Sequence, residues 1–178
     1  ELELSSHDRP VDILHDGFDC VIRTGALPED GVIARPLGKL TMVNCASPHY
    51  LTRFGYPQSP DDLTSHAIVR YTPHLGVHPL GFEVASVNGV QWFKSGGMLT
   101  VNSSENYLTA GLAGLGIIQI PRIAVREALR AGRLIEVLPG YRAEPLSLSL
   151  VYPQRRELSR RVNLFMQWLA GVMKEYLD

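Results

Sequence analysis

Apolar and polar residues change rhythm along this chain, and the changes mark out its elements. The opening ELELS alternates strictly, which is strand periodicity. Val11, Ile13 and Leu14 then make a short helical face ending near Gly17. DCVIR follows as an apolar run of the kind found in strands buried on both faces, and stops at Thr24-Gly25. GVIARPLGKLTMVNCA supplies a further strand pair. Ser47-Pro48 reads as an N-cap with Pro at N1, predicting a helix from His49 to Phe54 with Gly55 as its stop. Ser59-Pro60 repeats the device, with Asp61 and Asp62 at the positive end of the helix dipole. Ala67 to Tyr71 predicts a strand, Asn88-Gly89 a hairpin turn between alternating runs, and Leu99 to Asn102 another strand.

The glycines of AGLAGLGIIQIPR invite comparison with a phosphate cradle, which requires the order strand, glycine loop, helix. Here the order is reversed. SSENYLTAGLAG predicts a helix capped by Ser103 or Ser104, with Leu108, Leu112 and Leu115 along one face. Gly116 then reads as its C-cap, Gly111 and Gly114 as close-packing positions, and IIQI as the strand that follows. Glycines at the negative end of a helix disfavour a nucleotide site.

Pro121 opens a helix from Arg122 to Ala131, stopped by Gly132. RLIEVLP and LSLSLVYP read as strands. The last helix is predicted over 158–177, with Leu158, Val162, Phe165, Leu169 and Val172 forming an apolar stripe that Trp168 and Met173 widen. Many short strands alternating with helices give an α/β fold class, and the apolar runs predict mainly parallel sheets.

Composition narrows the function classes. The 178 residues carry a formal net charge of -1, unlike a general nucleic-acid binder. Cys20 and Cys45 lie in apolar runs without metal-ligand spacing, and read as small buried hydrophobes in a reducing compartment. No apolar run approaches the ~20 residues of a membrane span, and no signal peptide is seen, so a cytoplasmic location is expected. G-x-S-x-G is absent. His74 and His78 are spaced like helical zinc ligands, but Pro73, Gly76 and Pro79 forbid a helix there. No catalytic residues, metal or cofactor are expected.

The ordered motifs DGFDCVIRTG…ARPL, ASPHYLTRFGYPQSPDDLTSH, AGLAGLGIIQIP, GRLIEVLP and LVYP resemble the effector-binding domain of LysR-type transcriptional regulators. The resemblance covers essentially the whole chain. It implies a two-lobed, periplasmic-binding-protein-like fold with a small effector held in the cleft. Lobe I would be residues 1–43 and 148–178, and lobe II residues 44–147. The crossover strands would be TMVNC (41–45) and SLSLVY (147–152). The family's N-terminal winged helix-turn-helix has no counterpart here, so DNA binding is implied only for the parent protein. The domain's usual first strand and helix also lack counterparts. The first lobe is therefore expected to be incomplete, with ELELS as an unpaired edge favouring self-association.

Ligands in open α/β sheets bind beyond the carboxyl ends of strands. That rule selects Ser5 and Ser6 after ELELS, and Arg23, Thr24 and Gly25 after DCVIR. It also selects Asn102, Ser103 and Ser104 where a helix begins, and Gln119 in IIQI. Hydroxyls, amides, a guanidinium and a helix N-terminus suit a small carboxylate or polar aromatic effector, and the resemblance implies the same strand ends. Each residue also has a plainer reading: Arg23 as an ion-pair partner of Asp19 or Glu29, Ser103 as a cap, Gln119 as a group satisfied by backbone. Two rival readings are a solute-binding protein of a transport system and an enzyme of porphobilinogen deaminase type. The enzyme would require an accessible cofactor-bearing cysteine.

Overall fold

The computed structural model describes residues 1–9, 11–25, 31–76, 81–97, 99–154 and 159–177. The chain divides into two compact units. The first comprises Glu1–Arg9 and Met42–Glu144, the second Pro10–Thr41 and Pro145–Asp178.

The second unit is built on β1 (Val21–Thr24), β2 (Val32–Leu40) and β10 (Leu146–Pro153), with β10 in the middle. Both pairings are antiparallel, and β10 shifts register against β2 between Leu148 and Ser149. Its buried apolar side chains include Ile13, Leu40, Leu148, Leu150 and Val151. Helix α4 (Arg160–Met173) belongs to this unit and is capped by Ser159, whose hydroxyl accepts from the Val162 N–H. Of the predicted stripe, Leu158 lies outside the described residues. Val162, Phe165 and Leu169 are half-buried and Val172 is exposed. Met166 is the buried residue of the helix, and Trp168 is 59% exposed.

The first unit centres on β3 (Met42–Ala46), flanked by β8 (Ile118–Pro121) and β9 (Ile135–Glu136), both antiparallel to it. Strand alternation divides its neighbours cleanly. Val43, Cys45, Ile118 and Ile120 face one core with Tyr107, Ala110, Val125 and Ala128, from helices α2 (Ser104–Leu112) and α3 (Arg122–Arg130). Ala46 and Ile117 face the other core with Tyr50 and Leu51 of α1 (Pro48–Phe54), and with Phe82 and Val84 of β5 (Phe82–Ser86). Strands β4 (Arg70–Tyr71) and β7 (Thr100–Val101) pair in parallel.

Several expectations need correcting. Residues 1–7 form no strand and are exposed, with Leu4 at 88%. Alternation gives a strand pattern, but a strand exists only where a partner ladder is available. The sheets are mainly antiparallel, because an apolar run reports burial of both faces and not the direction of its neighbours. The hairpin of β5 and β6 (Gly89–Phe93) pairs Ser86 with Gly89, so its turn is Val87-Asn88, one residue earlier than predicted. Helix α2 ends at Leu112. The residue of left-handed conformation that follows is Gly114 (φ +77°), so Gly114 takes the role expected of Gly116.

The Ser59 device forms a capping box on the 3-10 turn Pro60–Ser65. The Asp62 carboxylate accepts from the Ser59 N–H at 2.9 Å and the Gln58 N–H at 2.8 Å. Those backbone donors, Ser59 first, hold Asp62 below its ordinary value. His66, next to this turn, is buried, with Nδ1 3.1 Å from the Tyr50 hydroxyl. That hydroxyl also accepts from the Ala67 N–H at 2.9 Å. Burial pushes the His66 imidazole below its usual value, with Asp62 pulling partly the other way. A depressed histidine contributes stability that is complete above its unfolded value of about 6.5 and is lost as pH falls below it. The urea midpoint is therefore expected to be lower at about pH 5.5 than at about pH 7.5, with a smaller difference in His66→Gln. Equal differences in the two proteins would show that His66 is not the titrating group.

Candidate functional site

The first unit gathers one cluster of polar groups where β7 gives way to α2. Thr100-Val101 ends beside β4, Asn102 and Ser103 turn the chain, and α2 begins at Ser104. Ser103 is extended (φ -129°, ψ 131°) and its hydroxyl accepts from the Asn106 N–H, as an N-cap does. The first N–H groups of a helix have no partner within it and carry the positive end of its dipole. Besides the Asn106 N–H taken by Ser103, one more is in use. Asp8 Oδ2 accepts from the Ser104 N–H at 2.7 Å and from the Ser104 hydroxyl at 3.2 Å. Tyr71, at the end of β4, also faces Asp8: burial first, and the Asp8 carboxylate second, push its phenol above its ordinary value. This corner therefore holds a carboxylate, that of Asp8.

Other sequence-selected residues fare differently. Gln119 is held internally. Its side-chain amide donates to Asn44 Oδ1 at 2.9 Å and to the Glu83 carbonyl at 2.8 Å, while its N–H donates to the Tyr107 hydroxyl at 2.8 Å. It braces the sheet rather than offering a free amide. Ser5 is exposed, with its hydroxyl 3.0 Å from His7 Nδ1, and Ser6 is exposed beside it. In the second unit Arg23, Thr24 and Gly25 do lie at the carboxyl end of β1, where the Gly25 N–H donates to the Ser147 carbonyl at 3.0 Å. Among the described residues Arg23 makes no ion pair, while Glu29 lies outside them.

Three residues escaped the sequence reading. Asp8 reaches Ser104, and Tyr71 faces Asp8, from positions remote in the chain, and no local pattern announces that meeting. Asn44 is wholly buried in β3, and its side chain donates to the Leu138 carbonyl at 3.2 Å and the Tyr141 carbonyl at 2.8 Å. Its signal was available: one amide inside an otherwise apolar strand. Those contacts set the turn at 138–141, where Leu138 adopts a positive φ of 48°. The turn walls a cavity of about 230 Å³ with Tyr56, Pro57, Gln58 and Glu136. Glu136 is already paired there, with Arg122 at 2.7 Å and also with Arg142.

Cys45 is buried, and burial, with the nearby Glu136 carboxylate, raises its thiol to about 12. Cys20 is half-buried, just before β1, and burial raises it as well. Neither is the low-pKa thiol that covalent chemistry uses. Among the described residues no cluster of His, Cys, Asp or Glu could hold a metal, and no helix is long and apolar enough to cross a membrane. His78 lies outside the described residues.

The comparisons with known proteins agree with one another. The family model described as "LysR substrate binding domain" matches residues 1–174. A transcriptional repressor of Pseudomonas aeruginosa, PA14_22550, is 35% identical over 98% of this chain and 55% of its own length. The transcriptional activator AaeR of Escherichia coli is 31% identical over 92% of this chain and 52% of its own. The chain thus spans about half the length of the curated relatives it matches. Among solved structures, the regulatory domain of CrgA, a LysR-type regulator from Neisseria meningitidis, superposes with a TM-score of 0.77 at 25% identity. That match covers 90% of this chain and 78% of the CrgA domain. The effector domain of AmpR from Pseudomonas aeruginosa, at 23% identity and TM-score 0.76, shows the same fold. These relatives are regulators, which disfavours both the transport and the enzyme readings. The fold is the periplasmic-binding-protein-like α/β fold of LysR regulatory domains, and the chain belongs to the LysR substrate-binding-domain family.

Proposed function

We propose that this domain senses a small carboxylate, or a polar aromatic molecule carrying one, at the turn formed by Asn102, Ser103 and Ser104. The observation that carries the reading is the carboxylate of Asp8 already seated on the Ser104 N–H and hydroxyl. Charge-assisted hydrogen bonds from backbone and hydroxyl donors at a helix start suit that group. In the second unit Arg23, Thr24 and Gly25 supply a second set of candidates, with a guanidinium suited to bidentate contact. Gln119 supports the sheet and makes no ligand contact in this reading, and Ser5 and Ser6 make none either.

In the parent protein the same reading places a DNA-binding domain before this chain and makes the regulator a self-associating, cytoplasmic protein. The effector acts by binding one arrangement of the domain more tightly than another, since equal affinity shifts nothing. No covalent step is involved.

A thermal-shift screen of organic acids against their matched amides tests this. Acids are expected to raise the unfolding midpoint and amides to leave it unchanged, because a ligand that binds only the folded state stabilises by mass action. In the Asn102→Ala, Ser103→Ala double variant the acid-induced shift is expected to vanish. The unliganded domain should lose only about 1 kcal/mol, the worth of a helix cap. A shift of wild-type size in the double variant would remove these residues from the site.

A further inference from the structure

The hairpin of β5 and β6 stands as a two-stranded sheet of its own. Its register pairs Glu83 with Trp92, Val84 with Gln91 and Ala85 with Val90. On β5, alternate residues turn their backbone groups away from β6. The Ala85 N–H donates to the Arg142 carbonyl at 2.8 Å, and the Glu83 carbonyl accepts from the Gln119 side chain at 2.8 Å. In an antiparallel ladder, residues directly opposite each other share that orientation. Val90 and Trp92 therefore turn their N–H and C=O groups away from β5, along the outer edge of β6. Among the described residues, nothing outside the hairpin bonds to those groups. Residues 89–92 are all exposed, Val90 at 38% and Trp92 at 46%. The strand reads GVQWF, with neither proline nor charge. Sheets that end in water usually guard the edge with one or the other.

We infer that the outer edge of β6 pairs with the same edge of a second copy of this chain, antiparallel about a two-fold axis at Gln91. The strand is self-complementary in that register. Val90 lies opposite the partner's Trp92, and Trp92 opposite the partner's Val90. Residues whose backbone groups point outward thus meet residues of the same kind, and every outward N–H and C=O of the pair finds a partner. An axis at Val90 would instead set Trp92 against the turn residue Asn88, and an axis at Trp92 would set Val90 against Lys94, beyond the strand. Side chains agree with the register at Gln91. Val90 and Trp92 share the face opposite Phe82 and Val84, which fill the core, so an aromatic ring and a β-branched side chain meet twice on the water side. Lys94 falls opposite the partner's Asn88, so no like charges face each other. A five-residue edge is a small contact, and alone it is transient. It gains strength where copies are already held together, because the pairing is then intramolecular. The inference does not depend on the effector site proposed above.

Cysteine trapping in the full 178-residue chain tests it, in a Cys20→Ser background, Cys45 being buried. Gln91→Cys places two thiols directly opposite each other across the axis, within disulfide reach. Asn88→Cys, equally exposed, places them far apart. Under mild oxidation by oxidised glutathione, Gln91→Cys is expected to give a covalent dimer on a non-reducing gel and Asn88→Cys to stay monomeric. Two changes added to Gln91→Cys are expected to abolish the dimer. Val90→Pro removes an outward N–H and no bond within the hairpin. Val90→Lys with Trp92→Lys sets lysine opposite lysine in both pairs and leaves the backbone untouched. Circular dichroism and the urea midpoint report whether each variant is folded, and the lysine variant serves if the proline variant is not. Absence of a dimer in Gln91→Cys overturns the pairing. So does equal dimer in Asn88→Cys, which would mean random collision, and so does a dimer that survives in a folded edge variant.

Discussion

Gly116→Ala is expected to lower the free energy of unfolding by about 3 kcal/mol or more, a large part of what a domain of this size possesses. A Cβ on Gly116 would lie 2.6 Å from the Ala67 carbonyl oxygen and 3.2 Å from the Val69 nitrogen. Both are backbone atoms, so no side-chain rotation relieves the contact. Both are also bonded to the next residue: the Ile117 N–H donates to the Ala67 carbonyl at 2.9 Å, and the Val69 N–H donates to the Ile117 carbonyl at 3.0 Å. Relief therefore means separating the two backbones where Ile68 and Ile117 meet, between side chains that are almost wholly buried. Gly132→Ala serves as a control, since its Cβ would meet nothing within 4 Å and only its positive φ of 66° is strained. Urea denaturation measures both. A loss at Gly116 no greater than at Gly132 would mean that the close approach costs nothing.

The same glycine shows what the sequence disclosed and what it did not. Three glycines near one helix end identify a helix stop followed by a strand, and that much is correct. Which glycine does which job depends on atoms the local sequence does not contain. Gly114 takes the left-handed conformation after α2. Gly111 is needed because Ile118 packs over it, with Cδ1 2.6 Å from where a Cβ would stand. Gly116 is needed because of residues 67–69. Two of the three roles are tertiary.

The helices were legible for the opposite reason. α1, α2 and the turn at Pro60 carry caps whose chemistry is complete within a few residues, as at Ser47, Ser59 and Ser103. Strand direction was not legible, because a buried strand such as β3 reads alike whichever way its neighbours run. Of the candidate site, the Asn102-Ser103-Ser104 turn was legible from the cap. Gln119 looked equally available in the sequence, and only the positions of Asn44 and Glu83 show that it is engaged.

Asn44→Asp is expected to cost a comparable amount, about 3–5 kcal/mol at neutral pH, although it changes shape hardly at all. Asn44 has no solvent exposure. Its amide nitrogen donates to two carbonyls, of Leu138 and Tyr141, and its oxygen accepts from Gln119. A carboxylate keeps the bond from Gln119 but turns an acceptor toward two carbonyl oxygens, and places a charge where water cannot reach it. No cavity is made, so the loss isolates the polar network from packing. The pH dependence has a definite sign. Burial without a cation raises the folded-state pKa of the new carboxyl above its unfolded value of about 3.9. A raised group is least harmful below the unfolded value, where the acid is neutral in both states and can donate to one of the two carbonyls. The penalty grows as pH rises through the folded-state value. The difference in urea midpoint between wild type and Asn44→Asp should therefore be smallest at about pH 4 and widen toward neutrality. A difference that does not change with pH would mean that water reaches the new carboxyl, and that the turn at 138–141 does not depend on the amide of Asn44.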